Sequence, residues 1–505
     1  MLLHDVVGLN ARRHGDKVAV RMADGTPSRT FAAWWSRSQR LAAALEAVTE
    51  HGDRVAILAT NCVEYLEAFV GVPAAGTPLA LLNYRLHPSE WVWIVNNSSA
   101  KVLIVQPELL AKLGDYRSQL TTVERVVVIG DAGGDDIAYD DFLAQAPNDA
   151  PVRDVVRTDI AWIVYTSGTT GRPKGAMLSH DNLVAAITQA VIEHAVTEDV
   201  VFLNGLPLCH IAGNLALVFT FRGGTVVLME QWDPAGWMQA VDDWSVTNAA
   251  LAPTMVGMML DHPRHPEFSL ASLRWLGYGA AKINSALLRR VLARFGDIVS
   301  SSMGMTETSG AILTLDEHTH TRAANGEEHL LEAAGKPMPI VDVRVVDPEG
   351  KECPPGVVGE IVVRGDQVLV GYLDNPEATA AAFTDGWFHT GDAARVDEEG
   401  YFSIVDRMKD MVITGGENVY STEVENAIYQ LPGVAEAAVV GTPDPTWGEI
   451  VTAVVVVRDG TTVTEDDVQA VCREHLAGYK VPRIVRFLDE LPKTVSGKIL
   501  KHQLR

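Results

Sequence analysis

Cysteine is scarce in this chain of 505 residues. Its four cysteines, Cys62, Cys209, Cys353 and Cys472, are scattered, and no two of them form a Cys-x-x-Cys pair. This spacing disfavours a disulfide framework and a structural zinc site. We therefore expect a protein of a reducing compartment, the cytoplasm.

Long apolar runs are also lacking. The longest one, at 69–82, is interrupted by Pro73, Gly76 and Pro78 and is too short to span a bilayer. The first five residues contain no basic segment followed by an apolar core, so we expect no signal peptide. The sequence predicts no integral membrane segment and at most a peripheral contact with a membrane.

Positive charge is in short supply, because 41 Lys and Arg residues face 65 Asp and Glu residues and give a net charge of −24. This balance disfavours nucleic-acid binding as the main task. The last stretch, 473–505, is the exception, with eight basic and three acidic side chains. It predicts a mobile cap over anionic ligands.

The order of the secondary structure indicates the fold class. Strands are predicted at 54–59, 77–82, 101–105, 125–129, 160–165 and 225–228, and helices at 61–69, 89–95 and 234–244. This alternation is typical of βαβ units and predicts an α/β fold of doubly wound, mostly parallel sheets.

The pattern changes near residue 343, where short β runs at 343–346 and 359–363 predict a small antiparallel β unit within the large domain. After residue 406, strands near 437–440 and 451–457 and a helix near 465–476 predict a separate α+β unit. We expect a large N-terminal domain, 1–406, and a small mobile C-terminal domain, 407–505. A short charged hinge would join them.

One loop dominates the sequence. Directly after Tyr165, the stretch 166–175 reads Thr-Ser-Gly-Thr-Thr-Gly-Arg-Pro-Lys-Gly. Its glycines let several backbone N–H groups point at one anion, its four hydroxyls add neutral donors, and Lys174 adds a mobile positive charge. The loop is suited to wrapping a polyphosphate.

The P-loop of nucleotide hydrolases is the obvious rival, and it does not fit. That motif needs Gly-Lys-Ser/Thr opening straight into a helix, whereas Pro173 stands in place of its second glycine. After Lys174 four residues intervene before Ser179, the predicted N-cap of a helix from Asp181 onward. A flexible surface turn is disfavoured because so dense a pattern follows a buried strand.

The loop resembles the phosphate loop of the adenylate-forming enzymes, which include acyl-CoA synthetases, nonribosomal adenylation domains and luciferases. The resemblance covers nearly the whole chain and implies ATP, Mg²⁺ and coenzyme A as cofactors and co-substrates. It implies an ATP site formed by Thr166, Ser167, Gly168, Thr169, Thr170, Gly171, Lys174, Gly279, Ala280, Ala281, Met303, Gly304, Thr306, Asp392, Arg407 and Lys498.

The segment Ser302–Glu307 supplies a hydroxyl and a hard carboxylate, the type of oxygen ligand that Mg²⁺ prefers. By resemblance, Glu307 and Thr166 hold the metal, and Thr306 contacts the α-phosphate region. The sequence departs from the family at Met303, where an aromatic residue usually stacks on adenine. A methionine can still pack on a ring.

Two further segments match the nucleotide site of the family. The small residues of 277–281 permit close approach of a flat ligand, although a tight turn fits that segment nearly as well. The resemblance places adenine there. It assigns ribose to Asp392 and Arg407; alone, Asp392 would read as an ordinary turn aspartate.

His210 follows Pro207-Leu208-Cys209, and a lone histidine after a strand is more often structural than chemical. A thiol nucleophile at Cys209 is disfavoured because no third partner is visible. The resemblance places an acyl pocket at His210, Ile211, Gly213, Asn214, Gly277 and Met303. We expect Gly213 and Ala280 to leave room for a chain or a ring.

The C-terminal part carries the remaining motifs. By resemblance, Lys409 is the hinge, Gly415 and Gly416 line a tunnel for the pantetheine arm of CoA, and Lys498 is the catalytic lysine of adenylation. Lys174, Thr306 and Glu307 join it as catalytic residues.

These motifs imply an AMP-forming acyl-CoA synthetase, acting as a monomer or a homodimer. It would adenylate a carboxylic acid with release of pyrophosphate and then pass the acyl group to CoA. A medium- or long-chain fatty acid is the favoured substrate, with an arylpropenoic acid as the close alternative. An acyl-AMP ligase that loads a carrier protein is a further alternative. A non-catalytic nucleotide-binding relative is disfavoured, because every charged motif residue is present.

Overall fold

The computed structural model of the chain describes residues 1–146, 153–166, 173–279, 283, 285–415, 417–493 and 499–505. The chain divides into two compact units, one formed by 1–343 with 363–388 and the other by 344–362 with 389–505. The predicted domain boundary at 406/407 lies inside the second unit, and the predicted hinge at Lys409 stays a prediction.

The helices and strands follow in chain order. The α-helices are α1 (Asp5–His14), α2 (Phe31–Glu46), α3 (Val63–Ala74), α4 (Pro88–Asn97), α5 (Pro107–Leu113), α6 (Tyr139–Ala144), α7 (His180–Glu193), α8 (Leu215–Thr220), α9 (Pro234–Asp243), α10 (Pro253–Asp261), α11 (Ser285–Phe295), α12 (Glu317–Ala324), α13 (Pro376–Ala381), α14 (Ser421–Ile428) and α15 (Glu465–His475). The strands up to residue 228 are β1 (Val18–Met22), β2 (Ser28–Thr30), β3 (Arg54–Leu58), β4 (Leu79–Leu81), β5 (Ala100–Val105), β6 (Arg125–Val128), β7 (Ile137–Ala138), β8 (Ile160–Thr166), β9 (Lys174–Ser179), β10 (Val201–Asn204) and β11 (Thr225–Leu228). The later strands are β12 (Asn248–Leu251), β13 (Trp275–Gly279), β14 (Val299–Met305), β15 (Gly310–Leu315), β16 (Lys336–Pro337), β17 (Asp342–Val346), β18 (Gly359–Arg364), β19 (Gly371–Tyr372), β20 (Phe383–Thr384), β21 (Trp387–Val396), β22 (Phe402–Arg407), β23 (Val412–Thr414), β24 (Glu417–Val419), β25 (Val434–Asp444), β26 (Gly448–Val457) and β27 (Ile484–Phe487).

Two large sheets form the first unit. The nine-stranded sheet has the order β16-β15-β14-β13-β12-β10-β11-β1-β2 and is parallel from β14 to β1. The eight-stranded sheet has the order β19-β9-β8-β4-β3-β5-β6-β7 and is parallel except at β8–β9 and β9–β19. The predicted α/β fold with mostly parallel sheets is confirmed.

Helices cover these sheets with large apolar side chains. Phe69 of α3 lies with its ring centroid 4.3 Å from that of Trp162 on β8, and both side chains are fully buried. The indole N–H of Trp162 donates to the carbonyl of Phe69 at 3.1 Å, so burial leaves no unmet donor on this ring. Burying side chains of this size stabilises the fold by about 1.5–3 kcal/mol each.

In the second unit, β22 pairs antiparallel with β21, and α14 follows after the short hairpin β23–β24. A further sheet has the order β24-β23-β26-β25, with β27 parallel to β26. Val424 of α14 and Val468 of α15 belong to the apolar core on one face of this sheet, and Leu491 and Leu504 to the cluster on the other. The small α+β unit is confirmed.

Among the described residues, no helix combines the length and the apolar character that crossing a membrane requires.

Candidate active site

The predicted phosphate loop connects the ends of two antiparallel strands. Thr166 at the end of β8 lies opposite Lys174 at the start of β9. The other predicted phosphate-binding residues lie outside the described residues: Ser167, Gly168, Thr169, Thr170 and Gly171. Because Lys174 opens a strand and not a helix, the hairpin differs from a P-loop.

The helix after this hairpin starts as the sequence predicts. The hydroxyl of Ser179 accepts a hydrogen bond from the backbone N–H of Asn182 at 3.2 Å, and the Asn182 side chain accepts one in return from the backbone N–H of Ser179 at 2.8 Å. This reciprocal cap fixes the start of α7 at His180 and with it the end of β9.

A carboxylate lies at the base of the hairpin. The hydroxyl of Thr166 donates to Oε1 of Glu307 at 3.4 Å, and the hydroxyl of Tyr372 donates to the same oxygen at 3.2 Å. No described residue donates a hydrogen bond to the second oxygen, Oε2. The three residues therefore form a cluster of hard oxygen atoms with one carboxylate oxygen still open, which fits the ligand preference of Mg²⁺.

Tyr372 also faces the lysine of the hairpin. The ammonium nitrogen of Lys174 lies 5.2 Å from the centroid of the Tyr372 ring, within range of a cation–π interaction. Burial raises the pKa of Tyr372, and the neighbouring charge of Glu307 raises it further. The hydroxyl therefore stays protonated at neutral pH and keeps donating to the carboxylate.

Tyr372 was not predicted as a site residue from the sequence. It lies 65 residues from Glu307 along the chain, and it reaches the site only because β19 pairs with β9, with Tyr372 opposite Ala176. The one local signal is a Gly-Tyr pair after the apolar run at 368–370, and nothing in that pair indicates its partner.

The backbone around Glu307 is fixed by the segment that precedes Tyr372. The N–H of Leu369 donates to the carbonyl of Glu307 at 2.8 Å, and the side-chain amide of Gln367 donates to the carbonyl of Thr308 at 2.9 Å. Thr306 opens the short 3₁₀ turn Thr306–Thr308. The predicted catalytic pair Thr306 and Glu307 thus lies on a tight turn supported from a second segment.

The predicted adenine segments lie on neighbouring strands. Gly279 at the end of β13 pairs with Ser302 on β14, which continues through Met303 and Gly304. A β-bulge between Met303 and Gly304 shifts the register against β15. Gly277 and Gly279 are both in β13, so within the segment 277–281 the alternative of a tight turn is wrong for these two residues. Ala280 and Ala281 lie outside the described residues.

The predicted acyl residues lie around a short 3₁₀ turn, Ile211–Asn214, which His210 precedes. The side-chain amide of Asn214 donates to the carbonyl of Ser309 at 2.7 Å and ties this turn to the segment after Glu307. Burial and the charge of Arg85 lower the pKa of His210, so its imidazole is neutral at pH 7.

The room expected beside Gly213 is absent. A Cβ at this position would lie 2.7 Å from the carbonyl oxygen of Leu208, so backbone occupies that space. The glycine lets the turn pack closely and does not open a pocket. The disfavoured thiol nucleophile stays disfavoured, because burial raises the pKa of Cys209 to about 12 and keeps it protonated.

The predicted ribose pair lies in the second unit, on a ladder and not in a turn. Asp392 on β21 lies opposite Arg407 on β22, and the Nε–H of Arg407 donates to Oδ1 of Asp392 at 2.6 Å. A second guanidinium nitrogen donates to the carbonyl of Thr390 at 3.2 Å. The two side chains predicted to share one ligand group are thus in direct contact.

The hinge and tunnel residues follow. Met408–Asp410 forms a 3₁₀ turn directly after β22, and the Lys409 side chain lies outside the described atoms. Gly415 has a φ of +60°, and its N–H donates to the carbonyl of Trp447 at 2.9 Å. A Cβ there would lie 2.8 Å from the Trp447 ring, so both conformation and space require glycine. Gly416 and Lys498 lie outside the described residues.

Known protein families and relatives match almost the whole chain. Residues 9–373 match the AMP-binding enzyme family, and residues 423–498 match the AMP-binding enzyme C-terminal domain. A feruloyl-CoA synthase of an Amycolatopsis species is 42% identical over 498 residues, which cover 98% of this chain and 96% of the relative. An indoleacetate–CoA ligase of Aromatoleum aromaticum is 34% identical over 509 residues, covering 100% of this chain and 98% of the relative.

The fold has similar solved structures as well. ATP-bound MatB from Rhodopseudomonas palustris superposes with a TM-score of 0.88 at 33% identity, covering 100% of this chain and 98% of that one. The matches in sequence and in fold agree with the site features described above, which are the hairpin at Thr166 and Lys174, the Thr-Glu turn and the Asp392–Arg407 pair. The chain therefore belongs to the AMP-binding enzyme family, in the branch of the AMP-forming acyl-CoA synthetases.

Proposed function

We propose that the enzyme activates a compact ring-containing carboxylic acid with ATP and transfers it to coenzyme A. In the first step the acid attacks the α-phosphate of ATP and pyrophosphate leaves. In the second step the thiol of CoA attacks the acyl-adenylate and AMP leaves. The observation that carries the ATP half of this proposal is the contact of Thr166 and Tyr372 with one oxygen of Glu307.

The protein contributes positioning and charge in the first step, because the phosphoryl chemistry itself needs no covalent intermediate on the enzyme. Thr166, Ser167, Gly168, Thr169, Thr170, Gly171 and Lys174 would hold the β- and γ-phosphates. Glu307 and Thr166 would hold Mg²⁺, which when bound neutralises phosphate charge. Lys174 lies at the base of the same hairpin, so its charge can reach a phosphate held there.

Separate residues would serve the two steps. Lys498 would bridge the carboxylate and the α-phosphate during adenylation, and Asp392 and Arg407 would hold the ribose. Rotation at Lys409 would then withdraw Lys498 and bring Gly415 and Gly416 to the pantetheine arm. Such an exchange lets one site run two reactions that need different surroundings.

The class of acid is the finer part of the proposal. The sequence motifs favour a medium- or long-chain fatty acid, with an arylpropenoic acid as the close alternative. We now favour the ring acid for two reasons. First, the indole of Trp275 fills the space beside Gly277, with ring atoms 2.3–3.1 Å from where a Cβ would stand. A filled space here favours a compact acid over a long chain. The second reason comes from the relatives. The relatives named above carry the names of feruloyl and indoleacetate substrates.

Pyrophosphate release against a panel of acids, with and without CoA, tests this function. The panel would include acetate, octanoate, palmitate, benzoate, cinnamate, 4-coumarate and indoleacetate. We expect CoA-dependent turnover that is fastest with the ring acids. Turnover confined to octanoate and palmitate would contradict the proposed class of acid. Adenylation that ignores CoA would move the acceptor to a carrier protein.

A further inference from the structure

One row of residues crosses the nine-stranded sheet at Gly277, a residue of the predicted acyl site. Asn204, Ala250, Gly277 and Ser300 are successive partners on β10, β12, β13 and β14, all of which run parallel. Partners in parallel strands point to the same face of a sheet. The row therefore presents two polar side chains with two of the smallest residues between them.

The indole of Trp275 lies across the small part of this row. Trp275 is two residues before Gly277, so it points to the same face, and its ring covers the bare α-carbon of that glycine. Below it lies an aromatic floor, because its ring centroid is 4.7 Å from that of His194 and 5.6 Å from that of Phe219. Burial lowers the pKa of His194 to about 4, so the floor is uncharged at neutral pH.

Three buried polar atoms in this row have no hydrogen-bond partner among the described residues. They are the indole Nε1–H of Trp275, the hydroxyl of Ser300 and Oδ1 of Asn204. The three residues are 7%, 2% and 0% exposed. An unpartnered buried donor or acceptor costs about 1–3 kcal/mol, so three in one row indicate groups that a ligand satisfies.

The position of the row connects it with the acyl site. Gly277, one of the predicted acyl residues, belongs to the row itself, and two residues further along, about 7 Å away, Gly279 and Ser302 pair on the same face. The turn Ile211–Asn214 leads directly into α8, whose Phe219 contacts Trp275. The unpartnered atoms thus lie in the layer of Gly277, one layer deeper than Gly279 and Ser302.

We propose that Trp275 and Ser300 bind an oxygen atom at the end of the acid that lies far from its carboxylate. This oxygen is a phenolic hydroxyl or a ring carbonyl. The indole N–H donates to this oxygen, and the Ser300 hydroxyl donates to it or accepts from it. Asn204 supplies an acceptor on the other side of the small residues. This inference rests on the proposed function and narrows its substrate class to oxygenated ring acids.

The matched pair 4-coumarate and cinnamate tests the inference, because the two acids differ by one distal hydroxyl. Binding of each acid to the full-length protein would be measured by calorimetry, and pyrophosphate release in parallel. One hydrogen bond contributes about 0.5–1.5 kcal/mol, so we expect a preference for 4-coumarate of about 3- to 10-fold. Trp275→Phe and Ser300→Ala should each remove most of this preference, measured as the ratio of the affinities of the two acids for the same variant.

Two variants on the opposite face of the sheet serve as controls. Ser301→Ala changes the next residue of β14, which points the other way. Trp237→Phe removes a buried indole N–H that likewise has no hydrogen-bond partner in the described part of the chain. Trp237 lies on α9, which connects β11 to β12, whereas α8 connects β10 to β11. In the strand order β12-β10-β11 these two connections run in opposite directions. Because such crossovers are right-handed, the two helices lie on opposite faces of the sheet. Both controls should keep the preference for 4-coumarate.

Each result separates the two proposals. Equal affinity of the wild type for both acids, failure of either acid to bind, or a preference that survives in Trp275→Phe and Ser300→Ala would overturn the inference. A preference in binding that the two variants abolish, without any pyrophosphate release, would support the inference and contradict the proposed function. A preference that the control variants also lose would show a general packing effect and overturn the inference.

Discussion

Replacing Tyr372 with phenylalanine isolates a single hydroxyl at the candidate metal site. The substitution keeps the ring that faces Lys174 at 5.2 Å and removes only the donor that reaches Glu307 at 3.2 Å. A hydrogen bond to a charged group contributes about 1.5–3 kcal/mol, and this one is longer than the usual O–H···O distance, which favours the lower end. About 1.5 kcal/mol corresponds to a tenfold effect on rate.

The assay is pyrophosphate release at saturating acid, titrated with Mg²⁺. We expect kcat to fall about tenfold and the Mg²⁺ dependence to change, because the carboxylate loses one of its two orienting donors. Thr166→Val should have a smaller effect, about threefold, because its contact is longer at 3.4 Å. Since both hydroxyls reach the same oxygen, the double variant should lose less than the product of the two effects.

Tyr165→Phe is the matched control. Its hydroxyl donates to the side chain of Asn97 at 2.8 Å, away from Glu307, so its loss should affect stability and leave kcat nearly unchanged. The reasoning would be refuted if Tyr372→Phe kept the wild-type rate and Mg²⁺ dependence. It would also be refuted if Tyr165→Phe lowered kcat as much as Tyr372→Phe.

Three further predictions concern other parts of the chain. Lys498→Ala should abolish adenylation and leave thioester formation from supplied acyl-adenylate much less affected; equal loss of both half-reactions would contradict the role of Lys498. Asp392→Asn should raise the KM for ATP about tenfold and lower the free energy of unfolding by about 1 kcal/mol, because Arg407 keeps a neutral acceptor in place of the carboxylate and is about one-third exposed; an unchanged KM for ATP would argue against the ribose assignment. Burial lowers the pKa of His180 to about 4 from 6.5, so the unfolded chain takes up the proton first and stability falls by roughly 3 kcal/mol as the pH drops from 6.5 to 4. Between pH 6.5 and 4 the melting temperature of His180→Gln should fall less steeply than that of the wild type. An identical slope would contradict the lowered pKa of His180.

Local patterns predicted much of this fold. The strand at 160–165 and the N-cap at Ser179 follow from an apolar run and from one hydroxyl next to a helical sequence, and both are present as β8 and the start of α7. Strand ends were less accurate. Gly277 and Gly279, which fit a tight turn nearly as well in sequence, are both in the strand Trp275–Gly279, because the Trp275 ring covers Gly277 and parallel neighbours on both sides hold it.

The contacts that make the site depend on residues far apart in sequence. Thr166 and Glu307 were both predicted, and their contact confirms that the hairpin and the Thr-Glu turn meet. Tyr372 could not be predicted, because no short-range pattern reports the pairing of β19 with β9. Gly213 was misread for a similar reason: its neighbour in space is the Leu208 backbone, which only the folded turn reveals.

Several expectations stay predictions. They include the phosphate contacts of 167–171, the roles of Lys409, Gly416 and Lys498, the cytoplasmic location and the monomeric or dimeric state. The measurements proposed above address the catalytic ones.

The amounts of the products of one reaction test most directly whether the enzyme ligates an acid to CoA with formation of AMP. The purified enzyme would be incubated with 4-coumarate, ATP, Mg²⁺ and CoA, and AMP, pyrophosphate and the acyl thioester would be quantified by mass spectrometry and nucleotide chromatography. We expect equal amounts of all three products. Formation of ADP and phosphate in place of AMP and pyrophosphate would contradict it.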